Sequence, residues 1–582
     1  MPHLNTQSSR SAIYLLLSLL LCSLAYGERP NVIIIMTDDQ GYGDLACHGN
    51  PWLKTPNLDQ LHAESVRLTN FHVSPFCTPT RAALMTGRYP ARTGAYRTSC
   101  GRTMMHTDER TIADQFTENG YQTGMFGKWH LGDNAPHRPQ DRGFDDVLWH
   151  RCGGVGQASD FWGNDYFDDT YDRNGQPEKF DGYCTDIWFR ESMSFIEQNK
   201  NQPFFLYLAT NAPHGPYRVA SEWAEPYQDN PNIVNANFYG MIANIDHNVG
   251  LLQQKLDELG IADNTILIFL TDNGTAAGGK FQDLDSEPSL GFNAGMRGKK
   301  SSIYEGGHRV PCFIHWPQGK VNHGRDLSAL TAHIDIFPTL VDLCSLVDNR
   351  QHQIDGLSFA PLLRDSDAKP PRKHLLIQYH GGAGNNNPLE PWLDSCVLKN
   401  QWRLVNRTEL YDISTDPAQS LNIASQHPAI VKQLRSIYPT YWESVSPRMT
   451  AVSIDIGNPR ENPTILSSQD WYLSDGNPPW NFASISRLPK TTGPWNVHVR
   501  RAGKYQFTLR QYPREANKAL VAQHASIRIA GRQLEKKVKL NSTGVTFTLE
   551  LPVGKTQLVT RLQDQQGLEG GAYFTEVLYL GK

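Results

Sequence analysis

"NVIIIMTDD" (residues 31–39) is an unbroken apolar run that ends on two adjacent carboxylates. A strand with one wet face alternates apolar and polar residues, whereas a strand covered on both faces reads as a continuous apolar run. Residues 31–36 therefore predict a strand buried on both sides. Three more runs follow the same plan. "YQTGMFG" (121–127) leads into Lys128, Trp129 and His130, "FFLYLAT" (204–210) into Asn211 and His214, and "TILIFL" (265–270) into Thr271, Asp272 and Asn273. Helical stretches lie between them, among them "PNLDQLHAESV" (56–66) and "GMIANIDHNVGLLQQKLDELG" (240–260). In the second, Ile242, Ile245, Val249, Leu252, Leu256 and Leu259 keep a 3.6-residue period. Strands alternating with helices predict an α/β fold with a mostly parallel sheet. Ligands of such sheets bind just past the carboxyl ends of the strands, where all four runs place charged or amide residues.

The chain has 582 residues, too many for one hydrophobic core. From about residue 345 its character changes. Residues 391–413 read as short strands and 427–445 as a helix, which together predict a small α+β annex over 346–446. Beyond a linker near 446–453, residues alternate apolar and polar. Val545, Phe547, Leu549 and Leu551 give a period of two, as an antiparallel β-sandwich over 447–582 requires. The predicted catalytic α/β domain spans 28–345. Net charge is −4 with no long lysine or arginine block, which excludes nucleic acid and anionic membrane as expected partners. Arg10 precedes an apolar run over 12–27 that is too short to span a bilayer and ends on Ala25 and Gly27. That pattern predicts a signal peptide over 1–27 and an exported protein, periplasmic or secreted. No other segment is expected to cross a membrane.

Export bears on the cysteines. Setting aside Cys22 and Cys77, seven remain, and an odd set spread over a long chain is no disulfide framework. An exposed thiol would oxidise outside the cell, so Cys77 is expected to be bridged, buried or chemically converted. It lies in "SPFCTPTRAALMTGR" (74–88), where Thr78 suits an N-cap and Pro79 the first helical position. The partial positive charge of a helix start, with Arg81 one turn on, favours a nucleophile and an anion. A packed or disulfide-bonded cysteine is the plainer alternative.

Asp38 and Asp39 repel one another unless a cation neutralises them. Together with Asp272 and Asn273 they offer four oxygen donors, which suits Ca²⁺ or Mg²⁺ better than zinc. The competing readings are a helix cap for Asp39, and a turn or N-glycosylation sequon at Asn273. Lys128 and His130 would share one face of an extended segment. His137 ends the same tetrapeptide as His214, "NAPH", but His214 follows a buried strand. "DYFDDTYD" (165–172) is acidic without the spacing of an EF-hand loop and reads as surface. Residues 147–165, rich in glycine and aromatics, are expected to line the substrate entrance. Trp471, Trp480 and Trp495 are candidate sugar platforms, or else core.

These pieces together resemble the type I sulfatases of the alkaline phosphatase-like superfamily. "CTPTRAALMTGR" is similar to the family signature, and "PNVIIIMTDDQGYGDL" to its metal strand. "GKWHLG", "TDNG" and "YEGGHRVP" match its later blocks in order, and "ELYDISTDPAQSLNIA" (409–424) its annex. Thr80 and Lys299 depart from residues common in the family. The resemblance implies hydrolysis of a carbohydrate or aryl sulfate ester, with Cys77 converted to formylglycine by a formylglycine-generating enzyme. The aldehyde hydrate would attack sulfur and release the alcohol; its second hydroxyl would then expel sulfate. By the same resemblance one Ca²⁺ would be held by Asp38, Asp39, Asp272, Asn273 and residue 77. Arg81 would hold the hydrate, Lys128 and Lys300 would neutralise the sulfate, His130 would assist the second step, and His214 would protonate the leaving oxygen. A phosphodiesterase or phosphonate hydrolase on this fold, and a non-catalytic glycan-binding relative, are the alternatives.

Overall fold

The computed structural model describes residues 29–349, 352–365, 367–381 and 390–581. The expected signal peptide lies outside the described residues. The centre is a ten-stranded sheet of β1 (Asn31–Thr37), β2 (Val66–Leu68), β3 (Gln122–Lys128), β4 (Asp146–His150), β5 (Thr170–Arg173), β6 (Gln176–Lys179), β7 (Phe204–Ala209), β8 (Thr265–Thr271), β9 (Cys312–His315) and β10 (Asp326–Leu327). Its order is β10-β2-β9-β8-β1-β7-β3-β4-β5-β6. The four apolar runs form its middle, β8-β1-β7-β3, all parallel. The antiparallel strands β9, β5 and β6 flank this centre and make the sheet mixed.

The unbroken apolar character of β1 follows from cover on both faces. Val32, Ile34 and Met36 face a cluster that includes Leu84 and Met85 of α1 (Cys77–Thr86) and Phe337 and Leu340 of α2 (His333–Leu343). Ile33 and Ile35 face Ile187 on the helix Cys184–Asn199 and Ile245 and Val249 on the helix Ala236–Glu258. Each fully buried side chain contributes about 1.5–3 kcal/mol, so five of them offset the cost of desolvated carboxylates at the strand end.

Register then sets the site. Thr37 pairs with Thr271, so Asp38 and Asp272 leave adjacent strands at one level. Gly127 pairs with Ala209, which brings Lys128 and the segment carrying His214 to the same edge.

The strands predicted over 391–413 are Ser395–Lys399, Trp402–Val405 and Glu409–Asp412, in a four-stranded antiparallel sheet with Leu375–Gln378. The helix expected over 427–445 is two helices, Pro428–Arg435 and Tyr438–Val445. Pro439 cannot donate its backbone N–H into a continuing helix and instead starts the second one.

The C-terminal residues form two further sheets around one shared apolar cluster. One sheet contains Trp495–Val499, His524–Ile529 and Gly554–Gln563, the other Gly503–Arg510, Val545–Leu551 and Phe574–Gly581. Pairing is antiparallel except where Ile454–Ile456 runs parallel to Trp495–Val499. Trp471 and Trp495 lie within the cluster with no exposed surface, so they are core and not sugar platforms, while Trp480 is half-buried. Among the described residues no helix is long and apolar enough to cross a membrane.

Candidate active site

Cys77 is the first residue of α1, with Phe76 at the N-cap. Thr78 does not cap the helix as expected; its hydroxyl donates to the His130 carbonyl at 3.1 Å and ties α1 to the end of β3. Cys77 is buried and in no disulfide, as are six other cysteines; a seventh, Cys47, is also unbridged but half-buried. Its Sγ lies 3.4 Å from Asp38 Oδ1 and 3.8 Å from Asp39 Oδ1. Burial pushes the thiol pKa well up, beyond what Lys128 and Lys300 offset. As a plain thiol it is therefore a poor nucleophile.

Around it the structure gathers three carboxylates and three cations. Arg81, with no exposed surface, donates from Nε and Nη2 to Asp272 Oδ2 at 3.2 and 2.8 Å. Its Nη1 reaches the Lys128 carbonyl at 3.0 Å and the Tyr207 hydroxyl at 3.4 Å. Lys128 Nζ donates to Asp38 Oδ2 at 2.6 Å. Lys300 Nζ lies 2.6 and 2.7 Å from the two oxygens of Asp39. The neighbouring Lys299 points elsewhere, over the Phe281 ring. Burial opposes ionisation of Asp39, but Lys300, then His214 and Lys128, hold its carboxyl below the usual range. Asp272 is also held low, by Arg81 and Lys128 against burial. Asp38 is pushed up to about 8, by burial beyond what Lys128 offsets, with Asp272 and Asp39 adding repulsion.

These residues fit a hard cation. One donor atom from each of Asp38, Asp39, Cys77 and Asp272 lies within 4.8 Å of the others. Asn273 is fully buried; its Nδ2 donates to Asp39 Oδ1 at 2.9 Å, while its Oδ1 has no partner. A buried amide oxygen without a donor carries a desolvation cost that a cation would remove. The same burial rules out glycosylation at this sequon in the folded chain.

The two histidines flank the cluster. His214 Nε2 is 3.7 Å from Asp39 Oδ2, and its Nδ1 faces the Gly215 carbonyl at 2.6 Å. Burial lowers its pKa to about 3, with Lys300 and Lys128 adding to burial and Asp39 opposing it. His137 is remote, against the Ser453 carbonyl. His130 does not share a face with Lys128 as the extended reading expected. Its φ of 57° breaks the strand, turning Nε2 to the Thr98 carbonyl at 3.2 Å and leaving Nδ1 buried without a partner. A Cβ on Gly153 would lie 2.4 Å from the His130 ring, and one on Gly154 3.7 Å from His214. Residues 153–154 thus border the site, whereas 157–159 of the segment 147–165 pack against the C-terminal residues. The acidic loop 165–172 is spent locally: Asp169 accepts from the Asp165 and Tyr166 backbones, and Asp172 pairs with Arg151.

The sequence reading missed Tyr207 and Thr98. Tyr207 carries the hydroxyl in the run "FFLYLA", so that polar atom was a usable signal. Thr98 acts through its carbonyl, which no residue type advertises.

Known proteins are similar to this chain. The family model described as Sulfatase covers residues 30–346, and one described as N-sulphoglucosamine sulphohydrolase, C-terminal, covers 298–438. Human arylsulfatase A is 30% identical over 474 residues, which are 72% of this chain and 89% of that protein. Human N-acetylgalactosamine-6-sulfatase is 31% identical over 372 residues, and the match spans 58% of this chain and 66% of that protein, just under two thirds. The crystal structure of Ps i-CgsB in complex with k-i-k-neocarrahexaose has a TM-score of 0.63 at 29% identity, over 73% of this chain and 95% of that one. Residues 30–346 are more than half of the chain and contain every candidate site residue: the chain belongs to the sulfatase family.

Proposed function

We propose that the chain hydrolyses sulfate esters of a carbohydrate, with residue 77 as formylglycine and one Ca²⁺ held by Asp38, Asp39, Asp272, Asn273 and residue 77. The observation that carries this reading is the burial of Cys77 at a helix start against three carboxylates, beside an amide oxygen with no donor. Formylglycine supplies a hydrated aldehyde as nucleophile, and Ca²⁺ supplies Lewis acidity.

The chain's own residues do the rest. Arg81, locked by Asp272 and the Lys128 carbonyl, presents a fixed charge to residue 77. Lys128 and Lys300 neutralise the sulfate oxygens, as preorganised charges in a buried site can. His214 donates from Nε2 to the leaving alcohol oxygen, since Nδ1 is engaged with Gly215. Burial and the two lysines disfavour its protonated form, and the negative charge of a bound sulfate would favour it. His130 accepts a proton at Nδ1, the nitrogen its Thr98 contact leaves free.

The names of two relatives, N-acetylgalactosamine-6-sulfatase and the neocarrahexaose complex, support a sulfated sugar as substrate. Export after removal of residues 1–27, and division of the rest at about 345 and 446, complete the proposal. Turnover of matched 4-nitrophenyl sulfate and phosphate esters by enzyme co-expressed with a formylglycine-generating enzyme tests it. Sulfate hydrolysis abolished by EDTA and restored by Ca²⁺ is expected. Preference for the phosphate ester would move the chain to the phosphodiesterase reading, and turnover of neither would favour a binding protein.

A further inference from the structure

Residues 155–165 do not end at the active site. They run on to the C-terminal sheets and are stitched to them. The Ala158 N–H donates to the Trp480 carbonyl at 2.9 Å, Ser159 and Ser467 hydroxyls meet at 2.7 Å, and Gln157 bridges to Asn481. Along this seam lies a cavity of about 220 Å³. Phe161 and Phe574 give it apolar walls, and Asp160, Arg510 and Arg514 give it polar ones.

The polar groups have unspent capacity. Asp160 is 3% exposed; its Oδ2 accepts from the Gly156 N–H and Asn164 Nδ2 at 2.9 and 3.1 Å, while its Oδ1 is buried without a partner. Arg510 donates from Nη1 to the Thr543 carbonyl and hydroxyl at 3.1 and 3.2 Å, while its Nε is buried without a partner. Among the described residues, neither Arg510 nor exposed Arg514 has a carboxylate within ion-pair distance. Native chains rarely leave buried donors and acceptors unmet. Two in one cavity, from opposite sides of a seam, point to a ligand that supplies both. An aromatic wall with a few convergent polar groups suits a sugar ring, and free guanidinium groups suit an anionic substituent. Glu515 and Glu576 line the same space, so it favours a ring bearing one charge over a bare anion.

One wall of the cavity is the segment that leads away from the catalytic edge. Asp133, on its wall, follows His130 by three residues and accepts from the Cys152 N–H at 2.9 Å, next to the Gly153 that packs on the His130 ring. We propose that this seam is a second sugar subsite, holding a neighbouring residue of the sulfated glycan whose ester is cleaved. It gives the C-terminal sheets a role in substrate binding, and it rests on the carbohydrate-sulfatase reading above.

The test is calorimetric binding of k-i-k-neocarrahexaose and of a chondroitin 6-sulfate hexasaccharide to full-length Ca²⁺-loaded Cys77→Ser protein. Adding Arg510→Ala is expected to weaken binding of whichever hexasaccharide is held by about tenfold or more, the loss of one charged hydrogen-bonding group. Arg510→Lys is expected to recover part of that loss, with an unfolding midpoint equal to the parent's. Binding insensitive to Arg510→Ala, or no binding of either hexasaccharide, overturns the subsite. Failure of the carbohydrate-sulfatase reading would show separately, as absent 4-nitrophenyl sulfate turnover by matured wild-type enzyme.

Discussion

Arg81→Met tests whether the site is held by charge balance or by packing. Methionine fills much of the same space, so the cavity cost is small. The change removes four hydrogen bonds at 2.8–3.4 Å, two to Asp272, one to the Lys128 carbonyl and one to the Tyr207 hydroxyl. Asp272 has no exposed surface, so its carboxylate is left without its nearest counter-charge. Removing one partner of a buried ion pair costs about 3–5 kcal/mol. Against a typical domain stability of about 5–15 kcal/mol this is a large fraction. The assay is urea unfolding of wild type and Arg81→Met, each in EDTA and in Ca²⁺. In EDTA the variant is expected to lose about 3–5 kcal/mol relative to wild type. In Ca²⁺ the deficit should shrink, because the ion supplies the positive charge that Asp272 has lost. A ligand at a hundred times its dissociation constant stabilises by about 2.7 kcal/mol. Two results would refute the reasoning. One is a variant as stable as wild type in EDTA, which would mean that Asp272 is not charged or not reliant on Arg81. The other is a deficit unchanged by Ca²⁺, which would place the ion elsewhere.

Cys77→Ser and Cys77→Ala, matured alongside wild type, should each lose at least about a thousandfold in sulfate turnover, as removal of an activated nucleophile does. Peptide mass analysis of active wild type should show residue 77 without sulfur and reactive towards hydrazide; an intact thiol in active enzyme would remove the covalent mechanism. A third prediction concerns pH. Burial raises Asp160 to about 8, beyond what hydrogen bonds from Gly156 and Asn164 offset. A carboxyl raised above its unfolded value stabilises fully below that value and loses its contribution as pH rises through the folded one. From about pH 4 to 8 wild type should therefore lose up to about 1.4 kcal/mol per pH unit relative to Asp160→Asn. Parallel pH profiles of unfolding for the two proteins would contradict this.

The central sheet was legible because its strands obey one physical rule. Ile33 and Ile34 point to opposite faces and both meet helices, so neither face tolerates a polar residue and the run is unbroken. The polar residues that end such runs are then conspicuous, which made Asp38, Lys128 and Asp272 readable. What was lost depends on backbone conformation and long-range contact. The left-handed φ of His130 gives no strong sequence signal at a residue other than glycine or asparagine, so its side chain was assigned to the wrong face. Thr78 looks like a cap by type, yet its hydroxyl is spent on the His130 carbonyl, 52 residues away. Trp471 and Trp495 are large, amphipathic rings whose composition is the same in a core as on a platform. The seam between Ala158 and Trp480 joins segments more than 300 residues apart, and periodicity carries no information at that range.

The charge count at the site leads to one further consequence. Asp38, Asp39 and Asp272 carry three negative charges when ionised, and Arg81, Lys128 and Lys300 carry three positive ones. Without a cation Asp38, pushed up to about 8, keeps its proton at neutral pH, so the cluster carries only one net positive charge, and its lysines are engaged with its own carboxylates at 2.6–2.7 Å. A divalent cation that displaces this proton changes the sum to plus two. Two unit charges about 4 Å apart interact by about 4 kcal/mol at an effective dielectric of 20. Sulfate affinity should therefore rise with the metal. Linkage makes the effect reciprocal: whatever factor Ca²⁺ adds to sulfate affinity, sulfate must add to Ca²⁺ affinity, typically about 5–150-fold. Calorimetric titration of Ca²⁺ into Cys77→Ser, with and without saturating inorganic sulfate, measures that factor directly. If Ca²⁺ affinity is the same in both, the lysines alone carry the anion, and the balance of charges drawn here is wrong.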